Sequence, residues 1–192
     1  RVSPNARAPQ TPSPMSSRER DEQLARHRKH NNTEYNLEPD LKNAPGGLRD
    51  IQMIGWVAKR HFGAKTLHEL VDLGFLDESE YTALASSQAT LWQIRYALHM
   101  LTGRGENRLL FDHQRNVAAI LDYRDSNANL AVEQLMKRYY RTAVAVSQLN
   151  EMLLQHFDEA IVRAGEQDVI VPLNNRFQLR NDYLEARHPR VF

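Results

Sequence analysis

Residues Tyr35–Gly63 read YNLEPDLKNAPGGLRDIQMIGWVAKRHFG, and the rest of the chain is organised around this stretch. Pro39 and Pro45 keep its first half out of a regular helix. Gly46 and Gly47 then open backbone angles closed to other residues. From Leu48 onward, Leu48, Ile51, Ile54, Ala58 and Phe62 fall on one helical stripe. The spacing predicts an extended polar segment that turns tightly into an amphipathic helix. Glu38, Asp40, Lys42, Arg49 and Asp50 crowd the turn.

A helix start carries unpaired N–H groups and the positive end of the macrodipole. Two glycines there let an anion approach, and Lys42 and Arg49 add positive charge. Asp50 argues the other way, because a carboxylate in the first turn can cap the same N–H groups. On physical grounds alone, a capped Pro-Gly-Gly corner with solvated charges outweighs an anion site, since a lone Gly-Gly turn is a weak signal.

The flanking chain extends the helical pattern. Arg18–His30 is strongly charged and helical in character, with only Leu24 and Ala25 as apolar anchors. Its basic cluster, Arg26 to His30, reads as a solvated helix end. Gly63 stops the central helix. Thr66 opens a short helix with Leu67, Leu70 and Val71 inward, closed by Gly74. Asp77 and Glu80 form a capping box for a helix to about Thr102. That helix buries Leu84, Leu91, Ile94, Leu98 and Leu101, and carries Gln88, Trp92, Arg95 and His99 on a neighbouring stripe. The flanking stripe suits either a cleft wall or a hydrogen-bonded edge of the bundle.

Asp112 is the expected cap of a helix through Asp122. From Leu130 to Ala164 one long pattern (Val132, Leu135, Tyr139, Ala143, Val146, Leu149, Leu153, Phe157, Ala160) predicts a spine of about 50 Å, ended by Gly165. Asp168–Leu179 reads as a small β-hairpin and the remaining tail as loose. The fold expected is all-α: a bundle of five to six helices around one long spine, with a small hairpin near the C-terminus. Residues 1–17, with four prolines, read as disordered or linker; 18–165 as the helical domain; 166–192 as hairpin and tail leading to a following domain.

Composition narrows the classes. The chain has 192 residues, 25 Lys+Arg against 24 Asp+Glu, and no cysteine. Balanced charge gives no push toward nucleic acid or a membrane. The absence of cysteine excludes disulfides, thiolate zinc sites and a cysteine nucleophile, and fits a cytoplasmic protein. No apolar run has the length of a membrane span. The chain begins with Arg, so it is expected to be a fragment of a longer protein.

The segment EPDLKNAPGGLRDI resembles the linker-and-helix signature of the bifunctional uridylyltransferase/uridylyl-removing enzymes of the nitrogen-regulatory PII protein. The matching residues are Glu38, Pro39, Lys42, Pro45, Gly46, Gly47, Leu48, Arg49, Asp50 and Ile51. The likeness takes in Glu22, Gln23, Arg26 and His27 upstream. Downstream it reaches Trp56, Arg60–Gly63, Arg95–His99, NRLLFDHQ (107–114), LNEMLLQHFDEAI (149–161) and FQLRNDYLE (177–185). A related Lys, Gly-Gly, Arg-Asp arrangement occurs in the glutamine-synthetase adenylyltransferases.

The resemblance implies the helical domain between a nucleotidyltransferase domain and a His-Asp phosphohydrolase domain. For the parent it implies UTP, Mg²⁺ and the PII protein as partner. The paired aspartates of a transferase metal site have no counterpart here. Asp21-Glu22 and Asp77-Glu78 are adjacent in helices or caps and point in different directions. No His-Asp doublet occurs; Asp112-His113 is the reverse order. The chain alone is expected to be inactive and to bind no cofactor by itself, and to wall one side of the transferase cleft. Lys42 and Arg49 are the expected phosphate contacts. Gly46 and Gly47 shape the turn, Glu38 and Asp50 orient the cations by ion pairing, and Arg95 and His99 form a second tier. Two alternatives stay open: a non-catalytic module that docks PII or neighbouring domains, and the helical part of an adenylyltransferase-like enzyme.

Overall fold

A computed structural model describes residues 17–163, 170–174, 176–180 and 183–186. The chain divides into two compact units with the boundary after Ile161. Among the described residues the first unit holds six helices: α1 (Ser17–Arg28), α2 (Leu48–Phe62), α3 (Glu69–Asp72), α4 (Glu78–Thr102), α5 (Phe111–Ile120) and α6 (Ala131–Arg163). The second holds β1 (Ile170–Pro172), β2 (Phe177–Arg180) and β3 (Tyr183–Ala186), an antiparallel sheet in that order. The all-α bundle with a long spine and a small hairpin is therefore what the sequence forms.

The spine is α6, whose 33 residues rise about 50 Å. Leu135, Tyr139, Ala143, Val146, Leu153 and Phe157 along it are fully buried. They join one cluster with Ile51 and Ile54 of α2, Leu84, Leu91, Ile94 and Leu98 of α4, and Val117 and Ala118 of α5. Each buried Leu or Ile contributes roughly 1.5–3 kcal/mol on leaving water. Phe62, Phe75 and Phe157 meet in tilted and edge-to-face contacts with ring centroids 4.6–5.2 Å apart. The helix ends follow their local chemistry. Asp77 and Glu80 close a reciprocal capping box on α4, and Gly63 and Gly103 end α2 and α4 in the left-handed conformation.

Four details differ from the expectation. The short helix starts at Glu69 rather than Thr66; Thr66 lies ahead of it, its Oγ1 accepting from the Glu69 N–H at 3.4 Å and donating to Glu69 Oε1 at 3.2 Å. Asp112 does not cap α5; the N-cap is Leu110, and the Phe111 N–H donates to Glu38 Oε1 at 3.0 Å, from 73 residues away. The chain after β2 is not all loose tail, since β3 pairs with it from Phe177↔Ala186 to Arg180↔Tyr183. Pro172, which lacks an N–H, lies on the edge strand β1. Residues 1–16 and the expected stop at Gly165 lie outside the described residues.

The fourth difference concerns α1. Its presumed anchors are exposed, Leu24 at 46%. It is held instead by polar groups aimed at one carboxylate. Asp50 is 0% exposed. Its Oδ1 accepts from Gln23 Nε2 at 3.1 Å, Arg26 Nη1 at 2.9 Å and His27 Nε2 at 3.0 Å. Its Oδ2 accepts from the Gly46 N–H at 2.8 Å. So Asp50 binds the helix before it and the turn before its own helix. Burial pushes the Asp50 carboxyl up, but the His27 hydrogen bond and charge, the Arg26 charge and the Gln23 bond outweigh it and hold the group below its ordinary value.

Gly46 meets a second constraint. Its φ is +72°, and a Cβ built there would lie 2.0 Å from the Ala143 carbonyl oxygen of α6. The turn therefore rests directly on the spine's backbone, which only glycine allows.

Two outcomes follow for unfolding of the chain in denaturant. Gly46→Ala adds left-handed strain to a backbone clash and is expected to cost at least about 2 kcal/mol. Asp50→Asn keeps the shape but strands the buried Arg26 charge, at about 3–5 kcal/mol. Because the folded Asp50 carboxyl sits below its ordinary 3.8, its contribution is complete above that pH and is lost as pH falls through the lowered value. Acid titration of the wild type against Asp50→Asn is expected to converge at low pH.

Candidate functional site

The corner before α2 is built by pairing two distant segments. Leu41 N–H donates to Asn107 O at 2.9 Å, and Leu109 N–H to Pro39 O at 2.8 Å. Asp40 and Arg108 form an antiparallel bridge between them. Gln114, buried, donates to Leu37 O at 2.7 Å. Asp40 Oδ1 then accepts from Lys42 N at 2.9 Å and Asn43 N at 2.7 Å, which turns the chain toward α2.

The backbone at this corner offers no anion nest. Leu48 N–H donates to Leu41 O, Arg49 N–H to Lys42 O and Asp50 N–H to Gly47 O, at 3.1, 2.9 and 3.0 Å. Gly47 N–H donates to Ala44 O, and Gly46 N–H is taken by Asp50. The donors that a bound phosphate would use already have partners inside the fold. The glycines serve close packing instead: Gly46 against Ala143, and Gly47 against the carbonyls of Ala44 and Lys42, each under 3.0 Å from a Cβ built there. Asp50 does not cap the helix start either, since its Oδ2 reaches Gly46 outside the helix.

The side chains divide into two sets. Glu38 and Asp50 do not pair with Lys42 or Arg49, contrary to the sequence expectation. Asp50 is occupied by α1, and Glu38 caps α5 while facing Arg108 at 3.8 Å. Lys42 and Arg49 are both half-buried. Among the described residues the Lys42 ammonium has no acceptor. Arg49 donates from Nη1 to Gln52 Oε1 at 3.3 Å and lies over the Trp56 ring at 5.1 Å. Its Nε–H is buried without a partner. An unpaired buried donor costs about 1–3 kcal/mol, so it marks a place where an acceptor would be gained.

Arg95 reaches the corner through Asn107. Its Nε donates to Asn107 Oδ1 at 2.8 Å, and the same Asn107 holds Leu41. Its guanidinium lies 5.2 Å from the Trp92 ring. His99, one turn further along α4, is half-buried with Nε2 unpaired, and no bond joins it to the corner. Hydrogen bonds thus link Lys42, Arg49 and, through the Asn107 side chain, Arg95 at one corner, and none joins His99 to it.

The sequence reading missed the inward role of Gln23, Arg26 and His27. The Arg26 and His27 side chains are only 10% and 16% exposed. A signal for this existed: Asp50 shares a helical face with Met53, Ile54 and Val57, all buried, which places its carboxylate where it needs donors. Among the described residues, no group of three or more His, Asp or Glu is placed to hold a metal ion. No helix described is long and apolar enough to cross a membrane.

The family model described as GlnD PII-uridylyltransferase matches residues 16–154. The chain is 57% identical over 173 residues to a bifunctional uridylyltransferase/uridylyl-removing enzyme of Pseudomonas aeruginosa. It is 56% identical to that of Azotobacter vinelandii and 55% identical to that of Stutzerimonas stutzeri. Each alignment covers 90% of this chain and 19% of the relative, so the chain spans about a fifth of their length. No solved structure matches it. With the family match running from α1 well into α6 and more than half of the aligned residues identical, the chain belongs to the PII-uridylyltransferase family.

Proposed function

We propose that this helical unit walls one side of the nucleotidyl-transfer cleft of a longer uridylyltransferase, with Lys42 and Arg49 turned to the triphosphate of UTP. The observation that carries the reading is the division of charges at the corner. Arg26 and His27 pair with Asp50, although Arg26 Nε and Nη2 are also buried without a partner, and Arg108 faces Glu38. Lys42 and Arg49 have no carboxylate partner among the described residues, and Arg49 keeps a buried unpaired N–H. Charge-assisted bonds to phosphate are about twice as strong as neutral ones, and a guanidinium grips an oxyanion with two parallel bonds. Gly46, Gly47, Glu38 and Asp50 act by holding the corner, not by touching the ligand. Arg95 and His99 form an outer tier on α4.

On this reading the metal chemistry of the transfer lies in another part of the parent protein and the chain by itself is inactive; among the described residues no group of three or more His, Asp or Glu is placed to hold Mg²⁺. The partners on this reading are the PII protein, a preceding transferase domain and a following His-Asp hydrolase domain. UTP as donor puts the reaction in the cytoplasm.

One observation favours a second reading, in which the unit docks PII. Trp92, Tyr96 and Met100 line an outer face of α4 and are exposed, Tyr96 at 67%. Aromatic residues, Met and Arg are enriched where proteins meet.

Uridylyl transfer by the full-length protein decides the first reading. Lys42→Ala or Arg49→Ala is expected to raise the Michaelis constant for UTP about tenfold or more. Unchanged UTP kinetics in both variants would remove the phosphate role. For the second reading, Tyr96→Ala is expected to weaken PII binding in a direct titration and leave the UTP constant unmoved.

A further inference from the structure

We infer that Trp56 is a positioning residue that holds the Arg49 guanidinium ready for an oxyanion, an inference that rests on the triphosphate reading of Arg49. Trp56 is 53% exposed on the outer side of α2, while Met53 and Val57 beside it are buried. Core packing therefore does not account for an indole at this position. What the ring touches is a cation: the Arg49 guanidinium carbon lies 5.1 Å from its centroid. Arg49, Gln52 and Trp56 are three and seven residues apart, so they share one face of the helix.

The two neighbours restrain different parts of the same group. The indole face holds the guanidinium plane by attraction to its quadrupole. Gln52 Oε1 takes Nη1 at 3.3 Å. Nε is buried without a partner among the described residues; Nε and Nη2 form one edge of the fork. Phosphate and carboxylate oxygens accept from such an edge in parallel. A free arginine carries about 2 kcal/mol of rotamer entropy, which binding would have to remove. Here Trp56 and Gln52 remove part of it before the ligand arrives. The ligand class is a polyphosphate, gripped through its oxygens and not through its base.

The test is steady-state uridylyl transfer by the full-length protein, with UTP varied at saturating PII and PII varied at saturating UTP. Trp56→Leu keeps bulk but loses the quadrupole. It is expected to raise the UTP Michaelis constant roughly two- to fivefold with turnover nearly unchanged. Trp56→Phe keeps an aromatic face and is expected to restore most of the loss. In an Arg49→Ala background, Trp56→Leu is expected to add nothing, because the group it positions is gone. Inorganic tripolyphosphate is expected to inhibit the wild type and to lose potency in Trp56→Leu by the same factor. If Trp56→Leu does not fold, Gln52→Leu, which frees the guanidinium from its other side, carries the same expectation. The inference is overturned if Arg49→Ala raises the UTP constant and Trp56→Leu does not, or if Trp56→Leu raises only the constant for PII. If Arg49→Ala itself leaves the UTP constant unmoved, the triphosphate reading fails, and Trp56 loses its role with it.

Discussion

A carboxylate removed from water has to be met by donors, and Asp50 is met from both sides of its own helix start. Desolvating an ion costs several kcal/mol, more than one buried leucine returns. The fold meets that cost with Gln23, Arg26 and His27 from α1 and the N–H of Gly46. Helix α1 has almost no apolar face of its own, so it stays on the bundle chiefly through this charge. An exposed ion pair from Arg20 to Asp158 ties α1 to α6 as well, and contributes little by comparison. The direction of the corner before α2 is set by the same atom set, because Oδ2 fixes Gly46.

With Gly46 fixed, the turn is pressed against the α6 backbone at Ala143. This explains why a Pro-Gly-Gly corner in this fold is not a phosphate loop. A phosphate loop keeps its N–H groups free and uses glycine to admit the ligand. Here glycine admits another helix, and the carbonyls of Leu41, Lys42, Ala44 and Gly47 take the N–H groups. On the proposed reading, anion recognition at the corner would fall to side chains without an internal carboxylate partner, Lys42 and Arg49, and less directly to Arg95.

The same internal economy accounts for Glu38. Its carboxylate serves the α5 N-terminus, while the Asp40–Arg108 bridge and the Gln114–Leu37 bond seal the adjoining strand of chain. Two acids that stand close to two bases in sequence thus end in different places, each facing a donor from another element. Proximity along the chain predicts ion pairs poorly when a buried donor elsewhere gains more from the acid.

Local chemistry was legible from the residues themselves. The α2 stripe, the Asp77–Glu80 capping box, the stop at Gly63 and the long α6 pattern depend on neighbours three or four positions apart, and all of them form. The residues of the corner were legible too, as a crowd of charges beside two glycines. Their partners were not. Which base Asp50 neutralises, which helix Glu38 caps and what Gly46 touches are matters of contacts 23 to 97 residues apart in the chain. Helix periodicity and capping are short-range, so the sequence alone determined the elements and their buried faces. Buried charge is settled by whichever donors the packed helices bring within about 3 Å, and only the tertiary structure decided that.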